Sequence, residues 1–255
     1  MLRIADRVIA PRLVVFDKDG TLIAFEAFWH AWLERNWALI EERVRLTPEA
    51  REGLAASLGL DLDSRDWHPL GPLTLAATQE VAVIIASQLY RYAGMDWLDA
   101  LALVEETNRL AYESLPLDEL VQPIGDVAGL LARLRAEGMA LALVTADDRA
   151  PTEDTLRRLD LAECWDTIIC GDDGLPQKPA PEAALEACRR TGVAPEEAIM
   201  VGDTIGDLQM ARRAGYALGV GVTSGALDAD ALAPYADVVV GSIHDVEITD
   251  EEKDR

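Results

Sequence analysis

Apolar and polar residues follow two different rhythms along this chain, and the change falls near Gly125. Between residues 24 and 120 the apolar positions recur at the spacing of amphipathic helices. From Gly125 onward, short apolar runs alternate with helical stretches, which is typical of a parallel sheet with helices on both faces. The pattern therefore predicts an α/β unit that carries an inserted all-helical segment.

The helices of the inserted segment are predicted from spacing and from capping residues. Apolar and aromatic residues at helical spacing indicate a first helix from Glu26 to Arg45. Thr47 followed by Pro48 is typical of an N-cap and a first helical position, and predicts a helix that ends near Leu58. The rest of the segment is predicted as a loop over 61–73 and helices over 75–93 and 96–114.

Short apolar runs predict the strands of the sheet, beginning with Leu13–Phe16, which is rich in β-branched and aromatic residues. Further strands are predicted at 140–145, 166–170, 198–202, 216–222 and 236–240, and helices at 125–137, 151–159, 180–191, 205–214 and 225–233. Residues 1–11 are interpreted as a short lead-in and 242–255 as a charged tail that frays. Ligands of such sheets bind at the carboxyl ends of the strands, so polar residues there are candidates for a site.

Two aspartates follow the first strand. Asp17 comes directly after it, Asp19 lies two residues further on, and Gly20 then allows a sharp turn. A buried strand that ends in carboxylates is costly unless a cation or protons compensate for the charge. The alternative is an ordinary surface turn, in which Asp and Gly are common.

Other polar residues stand in comparable positions later in the chain. Thr145 ends one predicted strand, Asp203 follows another directly, and Asp207 lies four residues beyond it. Lys178 precedes a proline just before a predicted helix. Taken singly, each has a plainer interpretation: the end of a strand, a helix cap, an exposed helix residue or a surface lysine.

Together these residues form four elements in a fixed order: Asp-x-Asp-Gly-Thr at 17–21, Thr145, Lys178-Pro179, and Gly202-Asp203-x-x-x-Asp207. This order resembles the haloacid dehalogenase-like hydrolase superfamily, and within it the phosphoglycolate phosphatase-like group with a helical cap. The resemblance covers 12–22 and 123–241. It implies a Rossmann-like core formed by residues 1–23 and 121–255, and a helical cap formed by 24–120, which has no signature of its own.

The resemblance implies roles for the first pair of acids. Asp17 would be the nucleophile and form an aspartyl-phosphate, which divides one difficult step into two. Asp19 would protonate the leaving oxygen and then take a proton from the attacking water. In the dehalogenase branch of the superfamily this second position is not an aspartate, so Asp19 favours phosphate chemistry.

The same resemblance implies a phosphate site and a magnesium site beside these acids. The groups expected to hold phosphoryl oxygens are the side chains of Thr145 and Lys178 and the backbone N–H groups of Lys18 and Ala146. The expected ligands of Mg²⁺ are Asp17, Asp203, the backbone carbonyl of Asp19 and, through water, Asp207. Mg²⁺ prefers oxygen ligands and retains several waters, so few protein carboxylates are needed.

These roles predict a Mg²⁺-dependent phosphomonoester hydrolase that acts on a small phosphorylated metabolite. One alternative is a phosphosugar mutase, which uses the same core and which the core motifs do not distinguish from a hydrolase. A second alternative is a non-catalytic binding protein, which the intact set of motif residues disfavours. The sequence does not identify the substrate.

Residues of the helical segment are candidates for substrate recognition. Those near the start of the insert, expected to face the leaving group, are Phe25, Phe28 and Trp29, with His30 and Arg91 as polar selectors. The alternative is that the tryptophans, which recur at helical spacing, form the core of the segment. Asp147 and Asp148 are interpreted as helix-start residues rather than catalytic groups.

Composition narrows the possible partners. A formal net charge of −23 and a pI near 4.4 argue against nucleic acid and anionic membranes as partners. A phosphate site must therefore create its own positive field from a metal, a lysine and backbone N–H groups. Three cysteines without a CxxC motif and the absence of an apolar leader in residues 1–11 predict a soluble cytoplasmic protein. A monomer or a homodimer is expected, and the sequence does not decide between them.

Overall fold

The computed structural model describes residues 1–24, 26–64, 66 and 68–249. The chain divides into two compact units, one formed by Met1–Phe25 with Val121–Arg255 and the other by Glu26–Leu120. The first unit combines strands and helices, whereas the named elements of the second are all helices. The second unit has nearly the extent of the predicted insert, and its role as a cap stays a prediction.

The named elements follow the predicted alternation. The strands are β1 (Leu2–Ile4), β2 (Arg7–Ile9), β3 (Leu13–Phe16), β4 (Ala140–Val144), β5 (Thr167–Ile169), β6 (Ala198–Gly202), β7 (Leu218–Val222), β8 (Val238–Val240) and β9 (Val246–Ile248). The α-helices are α1 (Glu26–Glu41), α2 (Pro48–Leu58), α3 (Pro72–Leu75), α4 (Thr78–Ala93), α5 (Trp97–Ser114), α6 (Leu117–Leu120), α7 (Val127–Ala136), α8 (Arg149–Arg158), α9 (Glu182–Thr191), α10 (Ile205–Ala214) and α11 (Ala229–Leu232).

β3 lies inside a six-stranded parallel sheet with the order β5-β4-β3-β6-β7-β8. Every residue of β3 is fully buried, because a strand covered on both faces needs no polar side. Phe16 pairs in register with Leu143 of β4 and Val201 of β6. The carboxyl ends of three adjacent strands therefore meet at one edge, and the predicted Rossmann-like sheet is confirmed.

Helices cover the two faces of this sheet. Small residues of α9 and α10 pack against Leu13, Val15 and Met200 on one face. Successive strand residues point to opposite faces, so Leu141 and Leu143 of β4 face the other side, where α7 packs on β4. The sheet is therefore a buried middle layer. The helices leave uncovered the edge at the carboxyl ends of the strands, where a ligand can bind.

A second, antiparallel sheet has the order β2-β1-β9 and corrects two predictions. Residues 1–11 are not a mere lead-in, and the tail does not fray over β9. Leu2 and Ile4 are fully buried and Val246 is 2% exposed, so one face of this sheet is packed against the rest of the protein. Each strand has only three residues, which is too short to produce a recognisable alternation.

The helical unit is held together by the apolar faces of α1, α2, α4 and α5. Thr47 caps α2 as predicted, since its hydroxyl accepts the N–H of Ala50 at 3.2 Å. α1 ends at Glu41, short of the predicted Arg45, where the N–H of Arg43 donates to the carbonyl of Ile40 only three residues back and tightens the last turn. Among the described residues, none of the helices is long and apolar enough to cross a membrane.

The helix predicted over 225–233 is also shorter than expected, and α11 covers only Ala229–Leu232. Asp228 caps it by accepting the N–H of Ala231 at 2.9 Å, which starts the helix late. The residues between β7 and α11 form a loop instead. Ser224 in this loop donates to the carbonyl of Gly20 at 2.8 Å, so the loop is tied to the turn after β3.

Candidate active site

The turn after β3 fixes the first acids of the site. The N–H of Asp17 donates to the carbonyl of Val201 at 3.0 Å, which extends the pairing with β6 by one residue. The N–H groups of Leu22 and Ile23 both donate to the carbonyl of Lys18, and these bonds close a tight turn. Gly20 has φ +77°, and a Cβ there would overlap the Asp203 carboxylate, so only glycine fits.

Three carboxylates converge at the ends of β3 and β6. Asp17, Asp203 and Asp207 each offer an oxygen, and these oxygens lie within 4.8 Å of one another. The three residues are 7%, 1% and 0% exposed. Burial, opposed by Lys178, raises the pKa of Asp17 to about 7, and burial together with the other two acids raises the pKa of Asp203 well above its ordinary value.

Lys178 is the cation within this cluster. Its Nζ lies 2.5 Å from Oδ1 of Asp17 and 2.6 Å from Oδ1 of Asp207, and its side chain is 10% exposed. The contact with Asp207 is an ion pair without the directionality of a hydrogen bond. Burial lowers the pKa of Lys178, but Asp17 and Asp207 together outweigh burial and raise it above its ordinary value. Lys178 is therefore held in its charged form.

Neighbouring groups orient the two acids that follow β6. Asp203 accepts hydrogen bonds from the Thr21 hydroxyl at 3.0 Å and from the N–H of Ala226 at 3.3 Å. Asp207 accepts the hydroxyl of Thr204 at 2.6 Å and its N–H at 3.2 Å. The interpretation of Asp207 as an exposed helix residue is therefore wrong, because it is buried and closes the N-terminus of α10.

Asp19 belongs to a second charged group. Nζ of Lys18 lies 2.8 Å from Oδ1 of Asp19 and 2.9 Å from Oδ2 of Asp147. Burial, opposed by Lys18, raises the pKa of Asp19 to about 6. Asp147 was expected only to start a helix, but the N-cap position of α8 is occupied by Asp148, and Asp147 forms an ion pair instead. An aspartate after a strand has the same appearance in either role, so the sequence carries no signal for this contact.

The remaining predicted phosphate ligands lie at the ends of β3 and β4. Thr145 is 6% exposed, and its hydroxyl oxygen accepts the N–H of Asp147 at 3.2 Å. A hydroxyl that accepts one hydrogen bond still has its own hydrogen to donate. Among the residues that the structure describes, the N–H groups of Lys18 and Ala146 form no hydrogen bond to the backbone. These groups are therefore suitable donors for an anion.

The donor set of the acidic cluster fits a hard divalent cation. All three ligands are carboxylates, and oxygen ligands of this kind suit Mg²⁺. When all three carboxylates are ionised, as metal ligands are, the single ammonium of Lys178 leaves two formal negative charges in a buried volume. Buried charges without compensation are strongly unfavourable. A divalent cation would remove this imbalance.

The comparisons with known proteins agree with this geometry. The sequence model of the haloacid dehalogenase-like hydrolase family matches residues 11–215. The chain belongs to that family. Among curated relatives, the phosphoglycolate phosphatase of Escherichia coli K12 is 36% identical over 121 residues, which are 47% of this chain and 48% of the relative. The chain thus matches about half the length of that relative.

Solved structures of the family show the same fold. A predicted phosphoglycolate phosphatase from Haemophilus somnus superposes with a TM-score of 0.69 at 18% identity, over 92% of this chain and 96% of its own. A Thermotoga maritima protein provisionally named a β-phosphoglucomutase gives a TM-score of 0.61 at 21% identity, over 90% and 94%. At these identities the likeness concerns the fold alone, and it does not separate a hydrolase from a mutase.

Four of the five residues predicted to recognise the substrate lie in the helical unit, and the fifth, Phe25, is outside the described residues. Phe28 and Trp29 are half-buried against the core of the unit and stack edge-to-face, with ring centroids 5.3 Å apart. His30 lines a cavity of about 330 Å³ in the same unit. Arg91 lies near the C-terminal end of α4, where its guanidinium carbon is 4.9 Å from the centroid of the Tyr92 ring. His30 and Arg91 are thus on different helices, α1 and α4. The cavity beside His30 and the Tyr92 ring beside Arg91 were not predicted from the sequence.

Proposed function

We propose that this chain is a Mg²⁺-dependent phosphomonoester hydrolase that acts on a small phosphorylated metabolite through an aspartyl-phosphate. The observation that carries the proposal is the buried cluster of Asp17, Asp203 and Asp207 around Lys178. A nucleophilic carboxylate, a cation-binding acid pair and a fixed ammonium within a few ångströms are the parts that phosphoryl transfer requires.

In the first step, a carboxylate oxygen of Asp17 attacks phosphorus, and the bond between phosphorus and the leaving oxygen breaks. Protonated Asp19 gives its proton to that oxygen, so the product leaves as an alcohol. Burial raises the pKa of Asp19 to about 6, which favours a carboxyl group able to carry this proton. Thr145 and Lys178 hold the oxygens of the group in transfer.

In the second step, water attacks the phosphorus of the aspartyl-phosphate and gives a proton to Asp19. The bond between phosphorus and Asp17 breaks, which releases inorganic phosphate and restores both carboxyl groups to their starting states. Asp17, Asp203, the backbone carbonyl of Asp19 and, through water, Asp207 would hold Mg²⁺, which would supply Lewis-acid stabilisation of the phosphoryl charge. The hydrogen bonds of Thr21 and Ala226 to Asp203 would keep its oxygens directed at the cation.

The expected location is a reducing compartment such as the cytoplasm. All three cysteines are free thiols. Burial raises the pKa of Cys170 to about 11, so this thiol stays protonated and unreactive at neutral pH. Structural use of unpaired cysteines fits an environment that keeps thiols reduced.

Phosphate release from a panel of phosphorylated metabolites tests the proposal. The panel includes phosphoglycolate, because relatives carry that name, and sugar 1-phosphates with identification of the products, because a mutase would return the phosphoryl group to the sugar. We expect release with Mg²⁺ and none with excess chelator. Undiminished release in chelator would exclude the metal, whereas isomerised sugar phosphate would indicate a mutase.

Mg²⁺ is expected to raise the melting temperature. A ligand at about one hundred times its Kd stabilises the folded state by about 2.7 kcal/mol, which corresponds to about 5–10 °C for a chain of this size. Asp203→Asn should lose most of this rise, because it removes a buried ligand. Glu196→Gln, which neutralises an exposed acid, should retain it. Equal rises in the two variants, measured by thermal unfolding, would contradict the assignment.

Trp29→Ala is expected to change substrate ranking. If Trp29 faces the leaving group, kcat/KM for large substrates should change roughly tenfold more than kcat/KM for acetyl phosphate. Trp37→Ala is the matched control, because Trp37 lies on the same helix and its indole N–H donates to Glu41 at 3.2 Å. Trp29 also stacks on Trp32 at 5.3 Å. A uniform loss that follows the melting temperature would make Trp29 a core residue only.

A further inference from the structure

The side chain of Lys18 has a defined position that the proposed mechanism does not use. It is 5% exposed, and its ammonium lies between Asp19 at 2.8 Å and Asp147 at 2.9 Å. A buried ammonium requires partners, since its desolvation is otherwise uncompensated. One of its hydrogens is donated to Asp19, and its charge is also paired with Asp147, so it is poorly placed to bind a substrate phosphate directly.

Asp147 is fixed from both sides of its backbone. Its N–H donates to the hydroxyl of Thr145 at 3.2 Å, and its carbonyl accepts the N–H of Gly171 at 2.8 Å. A Cβ at Gly171 would overlap the carbonyl of Ala146, so the two segments pack closely. The carboxylate of Asp147 is therefore attached to a rigid support at the end of β4.

The contact with Lys18 has a consequence for Asp19. An ammonium is only a donor, so Oδ1 of Asp19, which faces it, must be an acceptor. An oxygen without a hydrogen is the stronger acceptor for an ammonium, so when Asp19 is protonated its hydrogen is favoured on Oδ2. The contact thus selects which oxygen holds the proton and fixes the direction in which the carboxyl group turns. The proton of a general acid is useful only when it points at the leaving oxygen.

We propose that Asp147, acting through Lys18, is a positioning residue that orients Asp19 for proton transfer to the leaving group. This inference rests on the proposed function, because it needs Asp19 to act as the general acid. The side chains of Lys18 and Asp147 touch neither the reacting phosphate nor the cation in this scheme, and only the backbone N–H of Lys18 is assigned to the phosphate. Their effect is to hold Asp19 in one rotamer.

The test compares two phosphomonoesters that differ in their need for an acid. Loss of p-nitrophenolate requires little protonation, because p-nitrophenol is a much stronger acid than an aliphatic alcohol. An alkyl phosphate such as glycerol phosphate requires protonation of the leaving oxygen. The parameter is kcat/KM, which ends at the first irreversible step and so excludes hydrolysis of the aspartyl-phosphate.

We expect Asp147→Asn to lower kcat/KM for the alkyl phosphate roughly tenfold more than for p-nitrophenyl phosphate, as a misdirected acid keeps only part of its effect. Lys18→Met should show the same selective loss, and the double variant should be no worse than either, because the residues act as one unit. Asp148→Asn is the matched control. It removes the same charge one residue away, where the side chain forms no capping hydrogen bond.

Equal losses on both substrates, or no loss on either, would overturn the proposal. Thermal unfolding of each variant identifies any loss that comes from poor folding. Should Asp147→Asn not fold, Asp147→Glu keeps the charge but displaces the carboxylate, and the same selective loss is required of it. A wild-type protein inactive on these two esters and on every member of the metabolite panel would instead refute the proposed function, so the two failures are distinguishable.

Discussion

Asp17→Asn is expected to remove phosphatase activity, with a loss in kcat of about a thousandfold or more. An asparagine amide has nearly the shape of the carboxylate but is not a nucleophile toward phosphorus. The backbone bond from residue 17 to Val201 does not depend on the side chain, so the turn after β3 should be retained. Phosphate release by the purified variant is the measurement, and Asp148→Asn purified in the same way controls for activity lost during purification.

The same variant should not be less stable than the wild type in chelator at pH 8. Burial raises the pKa of Asp17 to about 7 against the opposing effect of Lys178. A carboxyl group with a higher pKa in the folded state binds its proton more tightly there, so the folded protein loses stability as the pH rises from about 4 to about 7. Asparagine has no such dependence, and Lys178 keeps Asp207 as a partner. The difference in melting temperature in favour of Asp17→Asn should therefore be smaller at pH 5 than at pH 8.

Two results would contradict this account of Asp17. Substantial phosphate release by Asp17→Asn would show that another group attacks phosphorus. A melting temperature below that of the wild type at pH 8 in chelator would show that the ion pair with Lys178 outweighs the cost of burying the charge. The two measurements are independent, since one reports on chemistry and the other on the metal-free folded state.

The sequence was sufficient to predict the residues of the acidic cluster because each belongs to a motif or directly follows a strand. Asp17 comes one residue after β3 and Asp203 one residue after β6, and parallel pairing of those strands brings them together. Lys178 lies in a loop, and only the family pattern indicated that it reaches the same edge. Predicted strand order alone would not have located it.

Other features of the site depend on contacts that local sequence does not encode. Ala226 contributes through its backbone N–H, so its side chain carries no signal. The loop that contains Ala226 was predicted as part of a helix. The helix begins only after Asp228, because the side chain of that single residue caps it. Asp147 shows the opposite problem. Its sequence position is typical of a residue at the start of a helix, but its side chain forms an ion pair with Lys18. Long-range packing selects between such roles.

Lys178→Arg is expected to be nearly as damaging as Lys178→Ala, with kcat/KM reduced roughly a hundredfold or more in both. The ammonium of Lys178 lies 2.5 Å and 2.6 Å from oxygens of two carboxylates, a geometry that suits a compact charge. A guanidinium is planar and larger, so it cannot occupy the same point between Asp17 and Asp207.

Stability separates the two Lys178 variants even if their activities are equally low. Lys178→Ala leaves three buried carboxylates without a cation, so its melting temperature in chelator should fall below that of the wild type, opposite in sign to Asp17→Asn. Mg²⁺ should then raise its melting temperature more than it raises that of the wild type, because the cation replaces a missing charge. Lys178→Arg keeps the positive charge, so its melting temperature in chelator should fall less than that of Lys178→Ala. An arginine variant with wild-type kcat/KM would mean that position 178 supplies charge alone, and that the geometry of the ammonium has no part in holding the phosphoryl group.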